Sequence, residues 1–172
     1  MAGPGGGAGP RGGATGSISG SVDTGYGSAS GSYDGATGSG SGSVSTGYGS
    51  ASGSYDGATG SGGVTVGTSA GSASANYDPN AGVSVGATSS SGASAGGTYN
   101  PSTGVTTGDF TSSSGATSGS WNVDMSNGTG SGGITTAYGS GTVSVTDDSV
   151  HATVDVPGMG NVNVTLDRPD WL

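Results

Sequence analysis

The stretch TGYGSASGSYDGATGSG fills residues 24 to 40 and recurs letter for letter at residues 46 to 62. Cut every 22 residues from Ser17, the chain gives five aligned blocks, ending near residue 126. One column holds an aromatic in all five, as Tyr33, Tyr55, Tyr77, Tyr99 and Trp121, and Gly38, Gly60, Gly82 and Gly104 close the first four blocks. Val22, Val44, Val66 and Phe110 share another column, interrupted by Thr88. A fixed period of this length implies one supersecondary unit, copied so that each copy packs on the next.

Turn chemistry and side-chain parity show what one unit is. After each Tyr comes DGATG, DGATG, DPNAG or NPSTG. Asp or Asn bonds the backbone, Pro sets φ in two copies, and the final Gly takes a positive φ, which is the pattern of a type I turn ending in a left-handed residue. Between turns the residues alternate with period two, the β pattern. From Gly27 to Tyr33 one face carries Gly27, Ala29, Gly31 and Tyr33 and the other Ser28, Ser30 and Ser32; Gly49, Ala51 and Gly53 repeat the small face. Each unit is therefore expected to be two strands of roughly 7 residues. Two stackings remain open. An antiparallel meander puts the aromatics on alternate strands; a β-solenoid stacks them ~4.8 Å apart.

Composition supports an all-β chain and narrows the function. Lys, Glu and Gln are absent and the only Leu are Leu166 and Leu172, so helices are disfavoured. With 28% apolar residues, mostly Ala and Val, a core of large side chains cannot be built. The 42 Gly would suit a disordered chain, but 8% charged residues and strict patterning would not. A net charge of −9 with Arg11 and Arg168 as the only cations disfavours nucleic acid and anionic membranes, since nothing neutralises a row of phosphates. Without Cys there are no disulfides or thiolate metal sites, and no apolar run is long enough to span a bilayer. The opening MAGPGGGAGPRGGATG lacks the apolar region of a secretory signal, so export by another route, or release as part of a virus, is expected if Met1 is the true start.

The alternation in GSGSGSVS and GSASGSY resembles the crystalline segments of silk fibroin, and the strand-turn-strand unit is similar to curlin repeats of bacterial biofilm fibres. The resemblance covers residues 17 to about 126 and implies Gly/Ser/Ala strands stacked into load-bearing sheets.

Three regions follow: a Gly/Pro-rich arm over 1–16, five β-repeats over 17–126, and a C-terminal module over 127–172. In the last, Thr142 to Thr146, Val150 to Val156 and Asn161 to Asp167 alternate cleanly and predict a three-stranded antiparallel meander. Its aliphatic face, from Val143 to Leu166, would cap the stack or dock on a partner. Trp171, in the tail, is a candidate anchor for a pocket, with a frayed terminus as the alternative.

Candidate chemistry is thin. Gly67-Thr68-Ser69-Ala70-Gly71 spells a nucleophile elbow, but no helix pattern follows it and the chain has one His. Gly7 to Gly12 spells a dinucleotide fingerprint with no strand before it. His151, Thr153 and Asp155, set opposite Asn161, Asn163 and Asp167, offer oxygen ligands for Ca²⁺, although a solvated strand face is the simpler reading. Asp34, Asp56 and Asp78 read as turn caps. Asn127-Gly-Thr129 and Asn163-Val-Thr165 are glycosylation sequons in a glycosylating host.

The residues thus point to a non-catalytic structural protein, needing no metal or cofactor, that associates with copies of itself in an extracellular fibre or surface coat. A virion fibre or decoration protein, attached through the C-terminal module, is the second reading. An ice- or glycan-binding surface built on Thr24, Thr46, Thr68, Ser90 and Ser112 is the third.

Overall fold

The computed structural model describes residues 16–167. Over this span the chain is one antiparallel sheet of 14 strands whose order in space is their order in sequence. The strands are β1 (Ser17–Thr24), β2 (Gly27–Asp34), β3 (Ser39–Thr46), β4 (Gly49–Asp56), β5 (Ser61–Thr68), β6 (Gly71–Asp78) and β7 (Gly82–Ser89). They continue as β8 (Ser94–Asn100), β9 (Val105–Thr111), β10 (Ser118–Asp124), β11 (Thr129–Thr136), β12 (Gly139–Val145), β13 (Ser149–Val156) and β14 (Gly160–Asp167). The meander is the stacking adopted and the solenoid is not. Every link joins neighbouring antiparallel strands, and the sheet stays open, with β1 pairing β2 and β14 pairing β13. The Pro residues of this span, at 79, 101 and 157, sit in turns, where the missing N–H does not interrupt a ladder.

Two kinds of turn alternate, one at each end of the strands. At one end stand the Asp turns expected from the repeat. Gly38, Gly60 and Gly104 have φ of 70°, 73° and 71°, and each donates its N–H to the carbonyl of the Asp or Asn four residues back at 2.7–2.8 Å. At the other end, two-residue turns at Gly25-Tyr26, Gly47-Tyr48, Ser69-Ala70 and Ala137-Tyr138 close the hairpins. None of these turn residues has a positive φ, so the mirror-image turns usual in tight hairpins are not used. A Thr hydroxyl does the work instead. Thr46 Oγ1 accepts the Tyr48 N–H at 3.2 Å and donates to the Gly49 carbonyl at 3.2 Å, and Thr24, Thr68 and Thr136 repeat the arrangement. Thr46→Val should therefore lower stability by about 1 kcal/mol, the worth of one such hydrogen-bonded cap, measured by chemical unfolding at fixed protein concentration.

The 22-residue count and the ladder part company at two places. In β7 the Asp78-to-Gly82 turn is one residue tighter than its predecessors, so Tyr77 faces Val83 and Ala87 takes the place in the valine row. Thr88, which interrupts that column in sequence, lies on the opposite face. Before β10 the connection 112–117 is longer than the preceding connection 90–93, and Trp121 moves one step off the tyrosine row. Tyr99 faces Thr106, which faces Val123; Trp121 faces Gly108 instead. The fifth aromatic therefore shares a face with the four Tyr but not their row.

The described residues form one layer without a core. Among the described residues no hydrophobic side chain is buried, and the residues that reach the buried class are Gly82 and Gly108. Pairing runs from β10 into β11 without a break, so the repeats and the C-terminal meander form a single sheet.

Candidate functional site

A single-layer sheet offers two faces, and the register sorts the side chains between them. One face is apolar. Rows across the strands read Val22-Ala29-Val44-Ala51-Val66-Ala73 and Tyr33-Gly40-Tyr55-Gly62-Tyr77-Val83-Tyr99. The C-terminal strands continue it, with Val150 opposite Leu166, Ala152 opposite Val164 and Val154 opposite Val162, as the alternation predicts. Every exposed large hydrophobic residue within a strand, from Ile18 to Leu166, lies on this face. The aromatic rings lie down on glycines: a Cβ at Gly40 would be 3.5 Å from the Tyr33 ring, one at Gly62 3.4 Å from the Tyr55 ring, and the Trp121 indole covers Gly108. With the tyrosines on alternate strands, neighbouring rings stand about 9.6 Å apart, twice the inter-strand spacing.

The other face is a field of hydroxyls. Ser19-Ser32-Ser41-Ser54 and Ser21-Ser30-Ser43-Ser52-Thr65-Ser74 run across it. Some hydroxyls bond across the ladder, Ser30 to Ser43 at 2.7 Å, Ser32 to Ser41 at 2.8 Å and Thr98 to Thr107 at 2.6 Å. Such pairs add modestly to the sheet and leave the face polar.

A comparison with known protein families, curated proteins and solved structures finds no match. The chemistry of the chain must be judged on its own side chains.

The nucleophile-elbow spelling is a hairpin: Thr68 ends β5, Ser69 and Ala70 form the turn, and Gly71 opens β6. His151 faces Thr165 and not Asp167, which pairs with Ser149. Its ring is held between Thr165 Oγ1 at 3.0 Å and Ser149 Oγ at 2.9 Å, while Thr153 donates to Asn163 Oδ1 at 2.8 Å. Among the described residues no three His, Asp or Glu groups come together as metal ligands. Gly7 to Gly12 and Trp171 lie outside the described residues. The Thr24, Thr46 and Thr68 hydroxyls proposed for an ice- or glycan-binding column are engaged in turn caps. Tyr26, Tyr48 and Tyr138, at the tips of the two-residue turns, are 93%, 92% and 88% exposed and share one end of the sheet. Their signal was Thr-x-Tyr-Gly, with Thr three residues before a Gly that opens the next strand.

The Asp turns carry the clearest electrostatics. Oδ1 of Asp56 accepts the Ala58 and Thr59 amides at 2.9 and 3.4 Å, Asp78 those of Asn80 and Ala81 at 2.7 and 3.0 Å, and Asp124 those of Ser126 and Asn127 at 2.9 and 3.2 Å. The Ala58 and Thr59 amides hold the Asp56 carboxyl below its ordinary value; the Ala81 and Asn80 amides do so for Asp78, and the Ser126 hydroxyl foremost for Asp124. Asn100 makes the same turn with an amide oxygen, to Ser102 and Thr103 at 2.9 and 3.3 Å. A depressed carboxyl stabilises the fold above its unfolded pKa of about 3.9, and this is lost as pH falls through the lower folded value. Replacing Asp56, Asp78 and Asp124 together by Asn should remove that contribution, lowering stability near neutral pH, and should flatten the loss expected of wild type below about pH 4. Thermal midpoints from pH 7 to pH 2 measure it.

Proposed function

We propose that this chain is a non-catalytic structural repeat protein that assembles with copies of itself into a fibre or surface coat outside the cell. The observation carrying this reading is a 14-stranded sheet with no buried core whose exposed strand hydrophobics all share one face. Eight residues at ~3.3 Å by 14 strands at ~4.8 Å give a face of about 1,800 Å². Two such faces in contact would bury about 3,500 Å² in total, within the range of obligate interfaces. Alone, the sheet leaves that face in water, and the backbone entropy of so many ordered Gly residues is poorly offset. Val, Ala and Gly give a low surface on which the Tyr rings of one copy can settle between those of another.

Sedimentation across a concentration series, with electron micrographs of the associated material, tests this. Regular ribbons or layers support it; a folded monomer at high concentration overturns it. A virion fibre or decoration protein would use the same face on a larger assembly. A glycan-binding surface is favoured by one observation, the four half-exposed tyrosines of a single row, and saturable binding of an extended polysaccharide by a stable monomer would select it.

A further inference from the structure

We propose that the two open edges of the sheet are complementary, so that β14 of one copy pairs antiparallel with β1 of the next and continues the meander as an open filament. This rests on the self-assembly reading and specifies its axis. With an even number of strands, β1 and β14 run in opposite directions, as an antiparallel junction requires. Both edges are full eight-residue strands without Pro or Lys, the usual devices that blunt an edge.

The register comes from the strands each edge already pairs with. β1 reads SISGSVDT and β13 reads SVHATVDV, so β1 presents Ser, a branched aliphatic, a small residue, Val and Asp at the places where β13 presents them to β14. In turn β14 reads GNVNVTLD against GSASGSYD in β2, with Gly first, Asp last, polar residues at the same alternate positions and a large side chain next to last. Both matches give one register. Ser17 faces Asp167 as it faces Asp34, and Thr24 faces Gly160 as it faces Gly27. Ile18 then meets Leu166 and Val22 meets Val162 on the apolar face, while Asp23 meets Asn161, so no like charges oppose. The junction is heterologous and does not close on itself, which makes filaments.

The chain has no Cys, so engineered thiols report without background. Directly opposed residues in such a ladder have Cα atoms about 4.5–5.5 Å apart, within disulfide range. Val22→Cys and Val162→Cys chains, mixed and oxidised, should give mixed disulfide dimers at least about tenfold in excess of a mixture of Val22→Cys with Asn161→Cys, whose thiols lie on opposite faces. A chain carrying both Val22→Cys and Val162→Cys should give a ladder of covalent multimers. Homodimers of Val22→Cys in excess, or no preference for Val162→Cys over Asn161→Cys, overturn the junction. If wild type assembles in sedimentation while the mixed disulfide is missing, edge pairing fails and self-assembly stands; if wild type stays monomeric, both fail.

Discussion

Ala29→Glu combined with Ala51→Glu is expected to abolish assembly at concentrations where wild type is associated. Both alanines stand in the row Val22-Ala29-Val44-Ala51-Val66 of the apolar face, on β2 and β4. In a face-to-face contact the new carboxylates would be buried with no cation to meet them, since the described residues include neither Lys nor Arg. An unpaired buried charge costs several kcal/mol, enough to dissolve an interface. Ser30→Glu with Ser52→Glu puts the same two charges on the same two strands but on the hydroxyl face, and should leave association close to wild type. Sedimentation of the three proteins side by side separates the effect of face from that of charge. Equal behaviour of the two double variants would rule out the apolar face as the contact.

Much of the fold was legible because the constraints were local and repeated. Asp, then Gly four residues on, occurs often enough to identify the turn, and the Gly27-Ala29-Gly31-Tyr33 alternation assigns faces without any knowledge of the sheet. The C-terminal strands were equally plain, because Val143, Val145, Val150, Ala152 and Val154 permit one parity. Meander and solenoid, by contrast, share turns and parity. They differ in whether the second turn of each unit reverses the chain within one sheet, and that turn is built on Thr-x-x-Gly, where the Thr hydroxyl replaces the positive φ that normally advertises a tight hairpin.

Register was less legible than face. Counting by 22 puts Trp121 with Tyr99, but a ladder responds to loop length and not to residue count. The longer 112–117 connection shifts β10 by two residues, which preserves the face and changes the row. The same logic explains Thr88: one residue fewer in the Asp78 turn flips every side chain of β7 relative to the count, so the hydrophobic residues of that strand moved to odd positions, Val83 and Val85. The candidate surface was visible as a pattern of small and aromatic residues. That no described residue covers it required the register of all 14 strands.

Gly82 should be the least replaceable of the turn glycines. It has φ of 91°, and an added Cβ would strike the Tyr99 carbonyl oxygen and come within 2.7 Å of Pro101 Cδ and 2.9 Å of Asn100 Cα. Gly92 is its natural control, since its φ is 90° while the nearest atom to an added Cβ is Ser113 O at 3.8 Å. Gly92→Ala should therefore show backbone strain alone, about 1–2 kcal/mol. Gly82→Ala adds a collision with backbone that cannot swing aside as a side chain would, and the total should reach about 3 kcal/mol or more. The tight turn is what brings Val83 into the tyrosine row, so relief by a one-residue slip would turn β7 over and put Val83 and Val85 among the hydroxyls. Urea midpoints of both variants at one protein concentration measure the difference, and equal shifts would mean that β7 does not pack against the Tyr99 backbone as the structure shows.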